Sequence, residues 1–228
     1  HRVDRRQRQM CIRDSGNAMG GAVVDMGKFP WDKGRDYSKL TLPNSSYNDI
    51  NFYESFGSHA FINYCHACVL RDLGATMAPL NAYLTLIGLE TLPLRMKQHM
   101  KNAKIVANFL KSHSKVNYVS WAGFKENIHH ELAKKYFKNG FGSVFTFSVT
   151  SGYEGAIKLV ENCNLISHLA NVGDTRSLIV HPASTTHRQL TIEQKEKSGI
   201  SDSIIRLSIG LESYKDIISD LDGALSTI

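Results

Sequence analysis

The residues best suited to chemistry lie in two strand-like runs near the end of the chain. The first run, residues 177–180, leads directly into His181 and a Ser/Thr cluster that ends at His187. The second run, residues 204–209, carries Arg206 inside an otherwise apolar stretch. An arginine stays charged at any working pH, and its burial is costly unless an anion completes it. Because the planar guanidinium suits a carboxylate or a phosphate, Arg206 is a candidate anion-binding residue.

Two interpretations of Arg206 remain open from the residues alone. The guanidinium could hold the carboxylate of a ligand in a pocket. It could equally form a structural ion pair with an aspartate or glutamate elsewhere in the fold. Composition does not separate these two interpretations.

The segment between His181 and His187 also allows two interpretations. Two histidines could perform acid–base or metal chemistry. Alternatively, the segment is a loop in which Ser184, Thr185 and Thr186 satisfy backbone groups. No carboxylate or thiolate lies nearby at metal-ligand spacing, so the loop is favoured and no metal site is predicted.

The sequence contains one Cys-x-x-Cys motif, formed by Cys65 and Cys68. The motif could be a redox pair or half of a zinc site. However, no second Cys-x-x-Cys or His pair completes a tetrahedral site. The favoured interpretation is a helix in which both cysteines serve as small apolar residues.

Composition and charge limit the classes of function. The chain has 228 residues, with 42% hydrophobic and 21% charged residues, as in an ordinary globular protein. The formal net charge is +6, which is too small to indicate nucleic-acid binding by field strength alone. No run has the apolar length needed to cross a bilayer. We therefore expect a cytoplasmic protein without a nucleic-acid or membrane partner.

The first fifteen residues differ in character from the rest of the chain. They show no hydrophobic period, and the run R-Q-M-C-I-R-D-S is typical of translated adapter sequence at the end of a reading frame. We expect residues 1–15 to be a non-native tail and exclude them from fold reasoning. The alternative is a basic arm that binds nucleic acid.

Alternating strands and helices must position the candidate residues. Such alternation predicts an α/β fold with helices on one face of a sheet, and a domain boundary lies near residues 94–98. The predicted strands are 22–25, 116–121, 142–149, 177–180 and 204–209. The predicted helices are 57–73, a stretch from Pro79 that Pro93 kinks or divides, 94–112, 126–138, 153–162 and 212–225. Residues 29–53 are predicted to form a long irregular loop.

Several long motifs resemble the Cys/Met-metabolism family of pyridoxal-phosphate enzymes. They are G-N-A-M-G-G-A-V-V-D, L-N-A-Y-L-T-L-I-G-L-E-T-L-P-L-R-M, S-H-L-A-N-V-G-D-T-R-S-L-I-V-H-P-A-S-T-T-H and D-S-I-I-R-L-S-I-G-L-E. The resemblance covers residues 16–228. The Asn in A-N-V-G-D and the run N-A-Y-L-T-L-I-G-L-E-T-L are similar to the O-acetylhomoserine sulfhydrylase branch. Cystathionine γ-synthases and γ-lyases of the same family are the alternatives.

The resemblance implies fold, cofactor and partners. Residues 16–94 would be the end of the large domain of a fold type I enzyme, and residues 95–228 its complete small C-terminal α/β domain. The cofactor would be pyridoxal 5'-phosphate, which stores the electrons released by deprotonation of the substrate. The parent enzyme would be a homotetramer that makes homocysteine from O-acetylhomoserine and sulfide.

The resemblance also implies roles for individual residues. Arg206 would grip the α-carboxylate of the substrate, and Asn171 would sit beside that carboxylate or the edge of the cofactor. The residues expected to border the pocket are His181, Ser184, Thr185, Thr186 and His187. No residue of this chain is assigned to the cofactor.

One departure from the family pattern concerns the lysine that forms the Schiff base with the cofactor. In the family this lysine ends an S-A-T-K segment, and it should fall near Met10. Since Met10 is not a lysine, we expect this chain to be the C-terminal part of an enzyme and to be inactive alone. An alternative of another class is a lysine-less, non-catalytic binding protein.

Overall fold

The computed structural model describes residues 18, 20–33 and 36–228. They divide into two compact units, Gly20–Tyr83 and Leu84–Ile228, with Ala18 in the second. The division falls inside the helix Pro79–Glu90. The predicted tail and the Met10 position lie outside the described residues, and the predicted domain boundary near residue 94 stays a prediction about the whole protein.

The first unit is built from short helices. They are α1 (Ser38–Thr41), a 3-10 turn (Ser45–Tyr47), α2 (Phe52–Phe56), a 3-10 turn (Gly57–His59), α3 (Ala60–Tyr64), a π-helical segment (Cys65–Leu70) and α4 (Arg71–Leu73). The predicted helix 57–73 is therefore confirmed as a run of consecutive helical turns. The side chain of Asn51 caps α2 by accepting hydrogen bonds from the backbone N–H groups of Tyr53 and Glu54, both at 3.1 Å.

The two cysteines of the Cys-x-x-Cys motif lie on the π-helical segment and are free thiols. Cys68 is buried with Phe52 and Ala60 in the small core of the first unit. This placement agrees with the interpretation of Cys68 as a small apolar residue on a helix.

Two predictions for the first unit were wrong. Residues 22–25 are irregular rather than a strand, and Val23 and Val24 are 63% and 79% exposed. An apolar run becomes a strand only where a neighbouring strand takes up its hydrogen bonds, and the described strands all belong to the sheet of the second unit. The loop predicted over residues 29–53 contains α1 and the 3-10 turn, which the side chain of Asn44 caps through Ser46 N.

The second unit contains a five-stranded mixed sheet. Its strands are β1 (Val116–Ser120), β2 (Val144–Val149), β3 (Ser167–His168), β4 (Leu178–Val180) and β5 (Ile204–Ser208). The spatial order is β1-β2-β5-β4-β3. The β3 and β4 strands are parallel, and the other neighbours are antiparallel. The strand β5 is therefore central, between β2 and β4.

Helices cover one face of this sheet. The helices with residues in this unit are α5 (Pro79–Glu90), α6 (Leu92–Ser112), α7 (His130–Tyr136), α8 (Gly152–Asn162), α9 (Ile192–Lys197) and α10 (Tyr214–Ser226). Buried residues of α6, α8 and α10 share one core with Phe147, Ile179 and Leu207 of the sheet. Since strand side chains alternate between faces, Arg206 belongs to the opposite face.

The predicted elements of the second unit are confirmed within a few residues. The largest difference is the helix predicted over residues 126–138, where turns precede α7. Pro93 divides the helical stretch as predicted: α5 ends at Glu90, and Pro93 lies in the first turn of α6, where a missing N–H costs nothing. Among the described helices, none combines the length and apolarity needed to span a membrane.

Candidate anion-binding site

The centre of the site is Arg206, in the middle of the central strand. It is in register with Thr146 of β2 and Val180 of β4. Its neighbours Ile205 and Leu207 are fully buried in the helix-covered core, whereas Arg206 is half-buried on the other face. Successive side chains of a strand point to opposite faces of the sheet, so Arg206 can make polar contacts without disturbing the core.

The guanidinium of Arg206 forms a hydrogen bond with a main-chain carbonyl oxygen rather than an ion pair with a carboxylate. Its Nη2 donates a hydrogen bond to the main-chain oxygen of Asn171 at 2.9 Å. Among the described residues, no carboxylate forms an ion pair with it, unlike Arg71 and Arg176, which contact Asp72 and Asp174. Burial, with no compensating charge, lowers the pKa of Arg206. The structural ion pair that the sequence left open is thus not found in the described part of the chain.

Asn171 lies in the segment between β3 and β4 and contributes its backbone rather than its amide to Arg206. The side-chain Nδ2 instead donates to Oδ2 of Asp174 at 3.4 Å. Gly173 connects this segment to β5, because its N–H donates a hydrogen bond to Oγ of Ser208 at 3.4 Å. The φ of Gly173 is 76°, a backbone conformation that favours glycine. Asn171 therefore sits beside the guanidinium, and its role toward a ligand stays a prediction.

Asp174 accepts hydrogen bonds from other residues of this segment. It is only 3% exposed, and its Oδ1 accepts from the backbone N–H and Nε of Arg176 at 3.1 and 3.3 Å. Burial alone would raise the pKa of this carboxyl, but the hydrogen bonds and charge of Arg176 outweigh burial and lower the pKa. The carboxylate stays ionised and acts as an acceptor at neutral pH.

The predicted pocket-bordering segment begins with a buried histidine. His181 is 1% exposed. Its Nε2 lies 2.7 Å from the main-chain oxygen of Asp202, and its Nδ1 lies 2.8 Å from Oγ of Ser184. Because a carbonyl only accepts, Nε2 carries the proton and Nδ1 accepts from the serine hydroxyl. Both ring nitrogens of His181 are therefore used within the protein.

The rest of the segment is held together by hydrogen bonds between its own residues. The hydroxyl of Thr185 donates to the main-chain oxygen of His181 at 2.7 Å, and Oγ1 of Thr186 lies 2.8 Å from Nδ1 of His187. These contacts match the loop interpretation, in which Ser and Thr satisfy backbone groups. The described residues contain no group of three metal-ligating side chains. Whether the segment borders a pocket stays a prediction.

Sequence reasoning missed the residues that hold Asn171 in place, namely Gly173, Asp174 and Ser208. Two signals were available. Asp174 lies two residues before Arg176, a spacing at which a carboxylate can bond both the backbone and the side chain of the arginine. Ser208 lies two residues after Arg206, so the strand period puts both on one face.

Comparison with known proteins places these features in a family. A model described as Cys/Met metabolism PLP-dependent enzyme matches residues 12–226. O-acetyl-L-homoserine sulfhydrylase 1 of Thermus thermophilus is 44% identical over 211 residues, which are 92% of this chain and 50% of the relative. Homocysteine synthase of Schizosaccharomyces pombe is 42% identical over 94% of this chain and 50% of its own length. The chain spans about half the length of the curated relatives it matches.

Solved structures agree with the sequence matches. A Campylobacter jejuni crystal structure containing N'-pyridoxyl-lysine-5'-monophosphate has a TM-score of 0.84 at 40% identity, over 95% of this chain and 52% of that chain. Cystathionine gamma synthase from Xanthomonas oryzae has a TM-score of 0.64 at 40% identity, over 68% of this chain and 40% of its own.

Proposed function

The chain belongs to the Cys/Met metabolism family of PLP-dependent enzymes, and from that premise we propose that it is the C-terminal part of an O-acetylhomoserine sulfhydrylase. Its α/β fold is that of the fold type I enzymes. The reaction proposed for the whole protein joins sulfide to O-acetylhomoserine and releases homocysteine and acetate. The homotetramer and the cytoplasmic location implied by the resemblance are proposals of the same kind.

The observation that carries the proposal is the charge on Arg206. A guanidinium has five N–H donors, and the described contacts use only Nη2, toward Asn171. The remaining fork can take a carboxylate by two parallel hydrogen bonds. A half-buried cation without an acidic partner is costly, and the α-carboxylate of an amino-acid substrate would offset that cost. Arg206 thus binds and orients the substrate.

The described residues do not fit the cofactor. Over residues 18, 20–33 and 36–228, the buried side-chain atoms without a hydrogen-bond partner are Asp25 Oδ2, Trp31 Nε1 and His99 Nε2. The first two belong to one compact unit and the third to the other, and none is a cation suited to a phosphate. A carboxylate would repel a phosphate. We assign no step of the reaction to these residues.

The second part of the proposal is that the 228-residue chain, by itself, does not catalyse the formation of homocysteine. The family resemblance implies that the lysine that holds the cofactor should fall near Met10, and Met10 is not a lysine. We expect no homocysteine when the purified 228-residue chain is incubated with pyridoxal phosphate, O-acetylhomoserine and sulfide. Robust homocysteine formation would overturn this part of the proposal.

The reaction itself is best tested in a chimaera. Residues 16–228 would replace the matched half of the Thermus thermophilus relative, and homocysteine would be measured with O-acetylhomoserine and sulfide. We expect activity, and Arg206→Lys should raise the KM for O-acetylhomoserine about tenfold to a hundredfold, because hydrogen bonds to charged groups contribute about 1.5–3 kcal/mol. Arg71→Lys, an exposed arginine, is the matched control.

The competing activity within the family is cystathionine synthesis, and the structural match to a cystathionine gamma synthase favours testing it. The nucleophile separates the two activities. A chimaera that uses cysteine in preference to sulfide would refute the sulfhydrylase assignment. An active chimaera whose KM is unchanged by Arg206→Lys would refute the role of Arg206.

A further inference from the structure

We infer that Asp174 is a positioning residue for the carboxylate site: it holds the loop of residues 171–176 so that the main-chain oxygen of Asn171 fixes the orientation of Arg206. This inference rests on the proposed function of Arg206 as the carboxylate anchor. The 171–176 loop is the name used below for that segment.

The first step concerns the hydrogen bonds that Asp174 accepts within the loop. One carboxylate oxygen bonds to a residue before Asp174 in the chain, and the other bonds to a residue after it. Oδ2 accepts from Nδ2 of Asn171 at 3.4 Å, and Oδ1 accepts from the backbone N–H of Arg176 at 3.1 Å. The side chain thereby ties the start of the loop to its end. Loops without such ties sample many backbone conformations, and ordering them costs conformational entropy.

The second step is the anchoring of the loop to the strand that carries Arg206. The N–H of Gly173 donates to Oγ of Ser208 at 3.4 Å. Ser208 is on β5, two residues beyond Arg206 and on the same face of the sheet. The loop is thus fixed relative to the backbone from which the arginine projects.

The third step is the effect on the guanidinium. The arginine side chain has many rotamers to choose from. The described contacts of Arg206 give its head group one protein partner, the oxygen of Asn171 at 2.9 Å. Because the guanidinium is planar and rigid, fixing Nη2 also fixes the plane in which its other N–H groups point. A fork oriented in advance loses less entropy when a carboxylate binds.

Asp174 is poorly explained as a residue for stability alone. A buried carboxylate costs free energy that hydrogen bonds must offset. The described hydrogen bonds of Asp174 are made only to members of its own loop, Asn171 and Arg176. What the arrangement achieves is the placement of one carbonyl oxygen beside Arg206.

The test compares Asp174→Asn with the unaltered 228-residue chain by NMR of the arginine side chains, with Arg206→Lys used to assign the Arg206 signals. In the unaltered chain, rotation about the Nε–Cζ bond of Arg206 should be slow, because one nitrogen is held. In Asp174→Asn the rotation should be fast, and the Kd for O-acetyl-L-homoserine should rise about tenfold, as expected for the loss of one hydrogen-bonded orientation. Asp216→Asn, an exposed carboxylate of the same unit, should change neither.

Each outcome separates the inference from the proposed function. If O-acetyl-L-homoserine shifts the Arg206 signals equally in both chains and the rotation stays slow in Asp174→Asn, the positioning inference is wrong. If the ligand shifts nothing in the unaltered chain, the proposed function of Arg206 fails, and the rotation rates still decide the positioning. If Asp174→Asn does not fold, Ser208→Ala removes the second tether, and unchanged rotation in that variant would overturn the inference.

Discussion

Among single residues, the arginines show how surroundings decide a role. Arg71 and Arg176 are exposed and contact neighbouring aspartates at 2.8 and 3.3 Å, so their charges are screened and satisfied. Arg206 is half-buried and meets a carbonyl oxygen instead. The apolar run around Arg206 allowed the residue to be selected from sequence. The contact with Asn171 could not be predicted, because Asn171 lies 35 positions earlier in the chain and no local pattern links the two residues.

His99 gives a pH dependence that can be measured. It is fully buried on α6, and its Nδ1 lies 2.7 Å from the main-chain oxygen of Ile209. Within the part of the chain that the structure describes, Nε2 has no hydrogen-bond partner. Burial lowers the pKa of His99, an effect larger than the opposing influence of that hydrogen bond. Below the ordinary histidine pKa, only the unfolded chain takes up the proton, so this contribution to stability is present at higher pH and is lost as the pH falls.

We therefore expect the free energy of unfolding of the wild type to fall more steeply between pH 7.5 and 5 than that of His99→Asn. One proton accounts for a slope of up to about 1.4 kcal/mol per pH unit. Urea titrations at several pH values give the slopes. His129→Asn, an exposed histidine, should keep the wild-type slope, and an equally steep His99→Asn would contradict the explanation.

At the scale of elements, the segment after β4 is a loop whose side chains form internal hydrogen bonds. His181 contacts Ser184 and Asp202, and the ring of Tyr153 lies 5.1 Å away, edge-on. The sequence suggested both a chemical and a structural use for these residues. The hydrogen bonds of His181 to Ser184 and Asp202 agree with a structural role for this histidine.

Ser184→Ala tests the importance of this arrangement. Removing the hydroxyl leaves Nδ1 of His181 buried without a donor, which should cost about 1–3 kcal/mol of unfolding free energy. The midpoint of urea unfolding would fall while the m-value stays constant. Thr186→Ala removes an exposed hydroxyl and should change stability by less than about 0.5 kcal/mol. Equal stability of the two variants would show that the Ser184 contact is dispensable.

Strands and long helices of the second unit could be predicted from sequence because their apolar period reflects one shared core. The apolar residues of the stretch 204–209 include Ile205, Leu207 and Ile209, which pack in one core with α6, α8 and α10. The strand predicted at residues 22–25 failed because an apolar run does not reveal whether a neighbouring strand is present. The 3-10 turn at Ser45–Tyr47 was missed because it is a single short turn that depends on the side-chain cap of Asn44.

On the scale of the whole molecule, the described chain exposes an unusual amount of apolar surface. The helix α5 has no buried residue, and Leu86 is 60% exposed. Such surfaces favour association. We expect the 228-residue chain to self-associate with rising concentration, as sedimentation velocity would show.

Leu86→Glu should reduce this association without lowering the midpoint of thermal unfolding, because the side chain makes little buried contact. Asn108→Glu adds the same charge at an exposed polar position and is the matched control. If both variants reduce association equally, net charge rather than the apolar face is responsible.

The register of the central strand limits which changes in its sequence the fold can accept. Ile205 and Leu207 pack in the core beneath the helices, and Arg206 lies on the opposite face of the sheet. A substitution at Arg206 would therefore leave the core positions in place. Loss of a single codon within the strand would instead reverse both sets at once, turning a leucine outward and a guanidinium into the core. We therefore expect a deletion in this segment to damage the fold more than a substitution at an outward-facing position.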